Sequence, residues 1–216
     1  MDSAFWHSRW ENKQIGFHSD SFNVHLEKFW KSLSVAKGAT VFVPLCGKTL
    51  DMLWLLKEGY KVIGVELSEI AIQDFFSENN LDYKTYDEGA FRYYSSGDLT
   101  ILHGNFFDIS EQEIGQCTAC YDRASLIALP REMRQRYVDK LKKFHKMASQ
   151  QLLVTLEYDQ SIKNGPPFSV SIDDVHALYT DTHTIKLSYE TEIIDEMIGF
   201  QKAGVTSITE RVFTIT

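Results

Sequence analysis

Two residues near the start of the chain have the types and the spacing for nucleoside binding. Gly47 lies in the turn P-L-C-G-K-T after one apolar run, and Glu66 closes the next apolar run, 19 residues later. Glycine lets a backbone approach a ligand closely, because it has no Cβ atom. A carboxylate at the end of a second strand can accept hydrogen bonds from both hydroxyls of a ribose. The pair therefore predicts an adenosine site.

Two cofactor classes share such a site, and the turn distinguishes them. Dinucleotides carry a pyrophosphate, which usually demands the glycine frame G-x-G-x-x-G, whereas S-adenosylmethionine has no phosphate. The single glycine favours S-adenosylmethionine over the nicotinamide cofactor of an oxidoreductase. A Walker-type phosphate loop ending in Lys48 is disfavoured, because its first glycine is replaced by Phe42. Two simpler interpretations stay open: Glu66 is only a charged strand end, or the domain binds a ligand without catalysis.

Other residue clusters offer less chemistry. Cys117 and Cys120 form a C-x-x-C, but it leads into a strand rather than a helix, which favours buried structural thiols. A zinc site needs four ligands, and only Cys46 remains among the cysteines. The seven histidines contain no H-x-x-x-H pair. We therefore expect no metal site.

The composition is typical of an acidic globular protein. Of its 216 residues, 44% are hydrophobic, and the formal net charge is −8, whereas nucleic acids are bound chiefly by basic surfaces. The basic segment K-L-K-K-F-H-K at 140–146 has the spacing of a solvated helix face. Three cysteines do not suggest a disulfide framework, and no apolar stretch is long enough for a membrane span. We expect a cytoplasmic protein that binds neither nucleic acid nor membrane.

Strands and helices alternate around the nucleoside site. The pattern predicts a helix from 69, with Ser68 as its N-cap, ending near Asn79 and Asn80. The other elements predicted for this half are strands at 40–44, 62–66 and 99–103 and a helix at about 49–58. We interpret the polar, aromatic-rich segment between residues 80 and 98 as an insertion. Repeated strand–helix units imply a parallel sheet, and ligands of such sheets bind at the carboxyl ends of the strands.

The second half continues this alternation and then changes. Strands are predicted in A-C-Y-D-R-A-S-L-I-A-L and Q-L-L-V-T-L-E-Y, with a long helix after Pro130 between them. Near the end, H-T-I-K-L-S-Y-E-T and T-S-I-T-E-R-V-F-T-I-T indicate an antiparallel hairpin, preceded by a short helix in D-D-V-H-A-L-Y. The fold class is therefore α/β and Rossmann-like, with a mostly parallel sheet and helices on both faces.

The N-terminal segment differs from this core in its richness in aromatic residues and histidine. Its first part predicts a short helix and a loop, and residues 22–33 have apolar side chains at helical spacing. Nothing in the composition indicates a linker, so we predict one domain, 1–216. Within it, 1–35 would form a helical lid and 36–216 the sheet core.

Several motifs together resemble the thiopurine S-methyltransferase family in its bacterial form, a branch of the class I S-adenosylmethionine-dependent methyltransferases. The resemblance runs over most of the chain and is weakest beyond Phe168. The motifs that carry it are F-W-H-S-R-W-E-N-K-Q-I-G-F-H, V-P-L-C-G-K-T-L-D-M-L-W-L, V-I-G-V-E-L-S-E-I-A-I-Q-D-F-F, Y-D-R-A-S-L-I-A-L and G-P-P-F. The resemblance implies a seven-stranded sheet that binds S-adenosylmethionine.

The resemblance also implies the positions that contact the cofactor: Trp10, Leu45, Gly47, Glu66, Asn105, Phe106 and Arg123. Each has a structural alternative. Trp10 can be a core aromatic like its neighbours Phe5 and Trp6, and Asp122 and Arg123 can form a surface ion pair. Of Phe106 and the residue after it, one is expected in the core and one at the site.

The implied acceptor is a thiopurine or another aromatic or heterocyclic thiol, contacted by Phe17, Pro167 and Phe168. Arg123 is a candidate for orienting it, and no residue is assigned as a catalytic base. Selenium or tellurium species are alternative acceptors. So are amino groups of nucleic acids, because N-G-P-P-F resembles the N-P-P-Y/F motif of base methyltransferases, although Gly165 interrupts it. We expect a monomer.

Overall fold

The protein is described by a computed structural model over residues 3–115, 117–144 and 150–216. Within these residues nine strands form one sheet, in the order β3-β4-β5-β2-β1-β6-β7-β9-β8. The strands are β1 (Thr40–Val43), β2 (Lys61–Glu66), β3 (Lys84–Glu88), β4 (Phe91–Ser96), β5 (Leu99–His103), β6 (Cys117–Arg123), β7 (Gln150–Glu157), β8 (Ile185–Glu192) and β9 (Thr209–Ile215).

The five central strands are parallel. Val41 pairs with Val62, and Gly64 pairs in turn with Ile101, which sets β1 and β5 on either side of β2. On the other side of β1, Phe42 pairs with Cys120 of β6. These strands are buried on both faces, which explains why each is an almost unbroken apolar run. Their carboxyl ends lie along one edge of the sheet.

Helices cover both faces of the sheet. They are α1 (Ser3–Glu11), α2 (Val24–Phe29), α3 (Asp51–Lys57), α4 (Glu69–Glu78), α5 (Glu111–Ile114), α6 (Arg131–Phe144), α7 (Ile172–Tyr179) and α8 (Ile198–Gln201). The predicted apolar stripe of 22–33 forms α2 followed by a 3₁₀ turn, with Leu26 and Trp30 buried. Ser68 lies at the N-cap position of α4, but its hydroxyl makes no capping bond and is buried without a partner.

The predicted fold class is confirmed, but the number of strands is not. The segment interpreted as an insertion forms the antiparallel hairpin β3–β4, which pairs with β5 and extends the sheet from seven strands to nine. All five residues of β3 are exposed, so it lacks the apolar alternation by which strands are recognised. The C-terminal hairpin β8–β9 is antiparallel as predicted, and β9 lies between β7 and β8.

The core divides between the two faces of the sheet. One cluster surrounds Phe42, Phe106 and Tyr137, and the other surrounds Trp30 and Tyr121.

The basic segment 140–146 is described up to residue 144, and its last two residues lie outside the described part. Within it, Lys142 binds Asp181 and Lys140 donates to the carbonyl of Phe107, so these two lysines have protein partners. No helix of the described residues is both long and apolar enough to cross a membrane.

Candidate functional site

Glu66 ties the ends of β1 and β2 together. Its side chain is buried, with Oε2 accepting a hydrogen bond from the amide of Gly47 (2.8 Å) and Oε1 from the amide of Ser68 (2.7 Å). Burial raises the pKa of this carboxyl, and the backbone amides partly offset that rise. Each carboxylate oxygen keeps further acceptor capacity. Both therefore remain able to bind hydroxyl groups of a ligand.

The turn after β1 is shaped for close approach. Leu45 and Gly47 have positive φ angles of 47° and 53°, a conformation that glycine adopts without a steric penalty. A methyl group on Gly47 would lie 3.2 Å from Cζ2 of Trp10 in α1. The buried indole of Trp10 thus packs directly on the turn, and its ring meets that of Phe17 edge to face at 5.5 Å. The N-terminal segment forms the roof of the site.

A cavity of about 790 Å³ lies under this roof, within the size range of small-molecule sites. The structure brings nine of the ten proposed contact residues to its wall: Trp10, Phe17, Leu45, Gly47, Glu66, Asn105, Phe106, Arg123 and Pro167. Phe5 and Trp6 also line it and are only half-buried, so they are not core residues. The proposed cofactor contacts therefore line the same cavity as Phe17 and Pro167, two of the proposed substrate contacts.

Phe168 does not line the cavity. Its ring packs so closely against Gly165 that a methyl group at this glycine would overlap with Cδ1 of Phe168. Its amide donates to the carbonyl of Ile127 at 2.6 Å, and the hydroxyl of Tyr158 donates to the carbonyl of Pro167 at 2.6 Å. These bonds turn Pro167 toward the cavity and hold Phe168 behind it.

The residues after β5 divide their roles between core and cavity. Phe106 is almost completely buried and packs against Phe42 and Tyr137, yet its edge reaches the cavity. Phe107 is half-buried at the cavity wall, where the guanidinium of Arg136 lies 4.5 Å from its ring centroid. The side chain of Asn105 accepts the amide of Phe107 (3.0 Å), which fixes the turn. Phe106 is thus mainly a core residue and Phe107 a wall residue, a distinction that the spacing of the sequence left open.

Asp122 and Arg123 do not form a surface ion pair. Asp122 is fully buried and accepts hydrogen bonds from the hydroxyl of Tyr137 (2.7 Å) and the amide of Leu126 (3.0 Å). Burial raises the pKa of Asp122 to about 6. The next side chain, Arg123, faces the cavity instead, and no hydrogen bond or ion pair links its guanidinium to another described residue. A cation is therefore available to a ligand at the end of β6.

Further polar residues of the wall were not assigned from the sequence. Lys48 is buried, but its ammonium binds both carboxylate oxygens of Glu78 (2.6 and 2.8 Å), which argues against a phosphate-loop role. His18 also lines the cavity; burial and the nearby Lys48 lower its pKa and favour the neutral imidazole. Glu210 reaches the wall from β9, at the far end of the chain. No local motif marks it, because its position depends on strand pairing.

The cysteines are structural. All three are free and buried. Burial raises the pKa of Cys117 to about 12, and it also raises the pKa of Cys120 well above its ordinary value. A thiol that stays protonated is a poor nucleophile. Across the described ranges, no group of three or more histidine, cysteine or acidic residues is arranged to hold a metal ion.

Comparison with solved structures identifies the fold. An S-adenosylmethionine-dependent methyltransferase from Anabaena variabilis matches with a TM-score of 0.65 at 12% identity, over 99% of this chain and 94% of that one. The Burkholderia thailandensis 1,6-didemethyltoxoflavin-N1-methyltransferase, solved with S-adenosylhomocysteine, matches with a TM-score of 0.63 at 12% identity, over 99% and 87%. The protein thus has the fold of the S-adenosylmethionine-dependent methyltransferases.

Sequence comparison gives the family within this class. Thiopurine S-methyltransferase of Pseudomonas entomophila is 44% identical over 216 residues, all of both chains. That of Pseudomonas fluorescens SBW25 is 44% identical over 215 residues, 100% of this chain and 99% of its own. The family model described as "Thiopurine S-methyltransferase (TPMT)" matches residues 1–216. The chain belongs to the thiopurine S-methyltransferase family, and the resemblance found in its motifs is confirmed.

Proposed function

We propose that the protein transfers the methyl group of S-adenosylmethionine to the sulfur of thiopurines and of other aromatic or heterocyclic thiols. The observation that carries this proposal is the buried carboxylate of Glu66, fixed by two amides at the floor of a cavity roofed by aromatic rings. S-adenosylmethionine supplies an activated methyl group on a sulfonium. It is consumed as a co-substrate.

The wall residues fit this molecule. Glu66 would bind the ribose hydroxyls, and the backbone at Leu45 and Gly47 would approach the cofactor where no phosphate has to be bound. Asn105 and Phe106 would contact the adenine. At the far side of the turn, Trp10 and Arg123 would enclose the methionyl end and the sulfonium, with an aromatic face that favours cations.

The chain's own contribution to the reaction is to position the acceptor and exclude water. The rings of Trp6, Trp10 and Phe17 meet edge to face at 5.5–5.7 Å and close the cavity on the N-terminal side. Attack by a thiolate on a sulfonium cancels two charges, and poorly solvated charges gain most from such cancellation. Arg123 would attract and orient the electron-rich sulfur.

The acceptor side of the cavity supports a small molecule as substrate. Phe17 and Pro167 would contact it, with Phe168 supporting Pro167 from behind. A selenium or tellurium species would use the same position. We propose residues 1–35 as the lid on the core 36–216, in a cytoplasmic monomer. The net charge of −8 argues against a nucleic-acid substrate.

Ligand binding tests the role of Glu66. In Glu66→Gln one carboxylate oxygen becomes an amide group that cannot accept from a backbone N–H. Lost charge-assisted bonds typically weaken binding by about 1.5–3 kcal/mol, or roughly 10- to 100-fold. We expect that loss in the affinity for S-adenosylhomocysteine, measured by titration calorimetry.

A matched control is Glu88→Gln, which changes an exposed glutamate of β3 far from the cavity. It should bind S-adenosylhomocysteine like the unchanged protein and methylate thiopurines at the same rate. Equal affinities of the Glu66→Gln and Glu88→Gln proteins would contradict the proposed cofactor site. An unchanged protein that fails to methylate any thiol would contradict the proposed reaction.

A further inference from the structure

Glu210 lies on the acceptor side of the cavity. Along the sheet, Glu66 ends β2, Arg123 ends β6 and Glu210 lies near the start of β9, so the strand order places Arg123 between the two carboxylates. If Glu66 holds the ribose and Arg123 the transfer site, Glu210 lies beyond the sulfonium. This is where an acceptor has to bind.

Strand register sets Glu210 on the same sheet face as Arg123. Arg123 pairs with Val154 of β7, and Glu210 pairs with Leu156, two residues further along the same strand. Side chains of paired positions, and of positions two apart, share a face. One strand separates β6 from β9, so the two backbones are roughly 10 Å apart. The two charged side chains thus face one space from opposite sides.

A buried histidine holds the carboxylate in place. Nε2 of His25 in α2 lies 2.5 Å from Oε2 of Glu210, and the two side chains are only 8% and 22% exposed. A carboxylate only accepts, so the imidazole N–H donates. The ring of His25 packs against those of Phe29 and Tyr189, which limits its rotation. Within the described part of the chain, no hydrogen bond reaches the other oxygen, Oε1.

Glu210 is therefore the carboxylate of the cavity with an uncommitted oxygen. Among the described residues of the wall, the only acidic side chains are Glu66 and Glu210. Both oxygens of Glu66 accept backbone amides. Of the two oxygens of Glu210, only Oε2 accepts a hydrogen bond from a described residue. An anion in this position disfavours a second anion and favours a neutral group with a hydrogen to donate.

We propose that Glu210 accepts the ring N–H of a heterocyclic thione and takes its proton during methyl transfer, an inference that rests on the proposed function. The thione sulfur forms its bond to the methyl carbon as the bond from that carbon to the sulfonium breaks. The electron pair of the ring N–H becomes part of a ring C=N bond, and the proton passes to Oε1 of Glu210. The products are a neutral S-methyl heterocycle, S-adenosylhomocysteine and a neutral carboxylic acid.

The change in charge explains why the sulfonium and the Glu210 carboxylate suit this cavity. A positive sulfonium and a negative carboxylate both become neutral in the same step, which a water-poor site favours. An arene thiol without a ring N–H cannot use Glu210 in this way and reacts as its own thiolate. The position consequently selects acceptors that carry an N–H beside their C=S group.

Paired acceptors test this inference. We would compare Glu210→Gln with Glu190→Gln, a glutamate of the same hairpin that binds Arg211 outside the cavity. Mercaptopurine has the N–H beside C=S, and thiophenol has none. General-base loss typically lowers a rate by 100-fold or more. We expect Glu210→Gln to lower kcat/KM about 100-fold for mercaptopurine and less than about threefold for thiophenol, with Glu190→Gln unchanged for both.

Binding gives a readout independent of turnover. With S-adenosylhomocysteine present, the Kd of mercaptopurine should rise about tenfold in Glu210→Gln, because an amide N–H would face the ring N–H. The Kd of thiophenol should not rise, because loss of a negative charge does not weaken the binding of a thiolate. The thiophenol rate also reports folding, since a misfolded variant loses both activities. If Glu210→Gln does not fold, Glu210→Asp provides the test, and it should retain part of the preference for mercaptopurine.

Several outcomes would overturn the inference. Equal losses for both acceptors in a folded variant, or no loss for mercaptopurine, would remove Glu210 from this role. A selective loss of mercaptopurine methylation in His18→Asn, but not in Glu210→Gln, would assign the proton to His18 instead. Failure of the unchanged protein to methylate either acceptor would refute the proposed function, and this inference with it.

Discussion

The buried carboxyl of Asp122 should make the stability of this protein depend on pH. Burial raises its pKa from 3.8 to about 6, although the hydroxyl of Tyr137 and the amide of Leu126 bind it. The folded state therefore holds the proton more tightly than the unfolded chain. The stabilisation is complete below pH 3.8 and is lost as the pH rises through about 6.

The size of the effect follows from the shift. A difference of about two pKa units corresponds to ~3 kcal/mol of unfolding free energy. Asp122→Asn has nearly the same shape but does not titrate. The difference in unfolding free energy between the unchanged protein and the variant should therefore move by about 3 kcal/mol in favour of the variant as the pH rises from below 4 to above 7.

Urea unfolding followed by circular dichroism, at half-unit steps between about pH 3.5 and 8, would measure this difference. Groups common to both proteins titrate alike and cancel. Tyr137→Phe is a second check, since loss of its hydroxyl removes a bond that lowers the Asp122 pKa, so the transition should shift to higher pH. A difference that stays constant with pH would refute the assignment of a titrating, buried Asp122.

Two further substitutions probe the turn and the acceptor wall. Gly47→Ala should destabilise the protein by about 1–2 kcal/mol, because the φ angle of Gly47 is positive. It should also weaken S-adenosylhomocysteine binding in calorimetry, because the added methyl group would press on Trp10. The control Gly97→Ala has a positive φ angle but open space around it, so it should affect stability alone. Arg134 donates to the carbonyls of Leu129 (3.1 Å), which lines the cavity, and of Ser169 (2.9 Å), next to Phe168, so we expect it to position the acceptor wall. In steady-state kinetics, Arg134→Met should raise the KM for the thiol by a larger factor than the KM for the methyl donor. Equal changes in both would contradict this role.

Local patterns predicted most of the sheet correctly. The central strands are short apolar runs between turn residues, and burial on both faces requires such runs. The hairpin β3–β4 was missed, because β3 is fully exposed and owes its structure to pairing with β4 rather than to burial. The hydroxyl of Ser68 was expected to cap α4, but it is buried beside Glu66 with no partner.

In the candidate site, too, some residues can be identified from local patterns and others only from tertiary contacts. Gly47 and Glu66 could be identified because their spacing spans one strand–helix–strand unit, a local feature. For Pro167 and Phe168, adjacency gave no indication of which would face the cavity. The bonds to Ile127 and Tyr158 decide it, and both partners lie in other elements.

The sequence alone determined the alternating elements, the position of the carboxylate that we propose for nucleoside binding, and the family, since each depends on residues close together in the chain. Only the tertiary structure decided that Arg123 faces the cavity while Asp122 is buried, and that Glu210 and His25 meet at its wall. Those contacts join residues far apart in the chain. Strand order and register bring them together, and no local spacing encodes either.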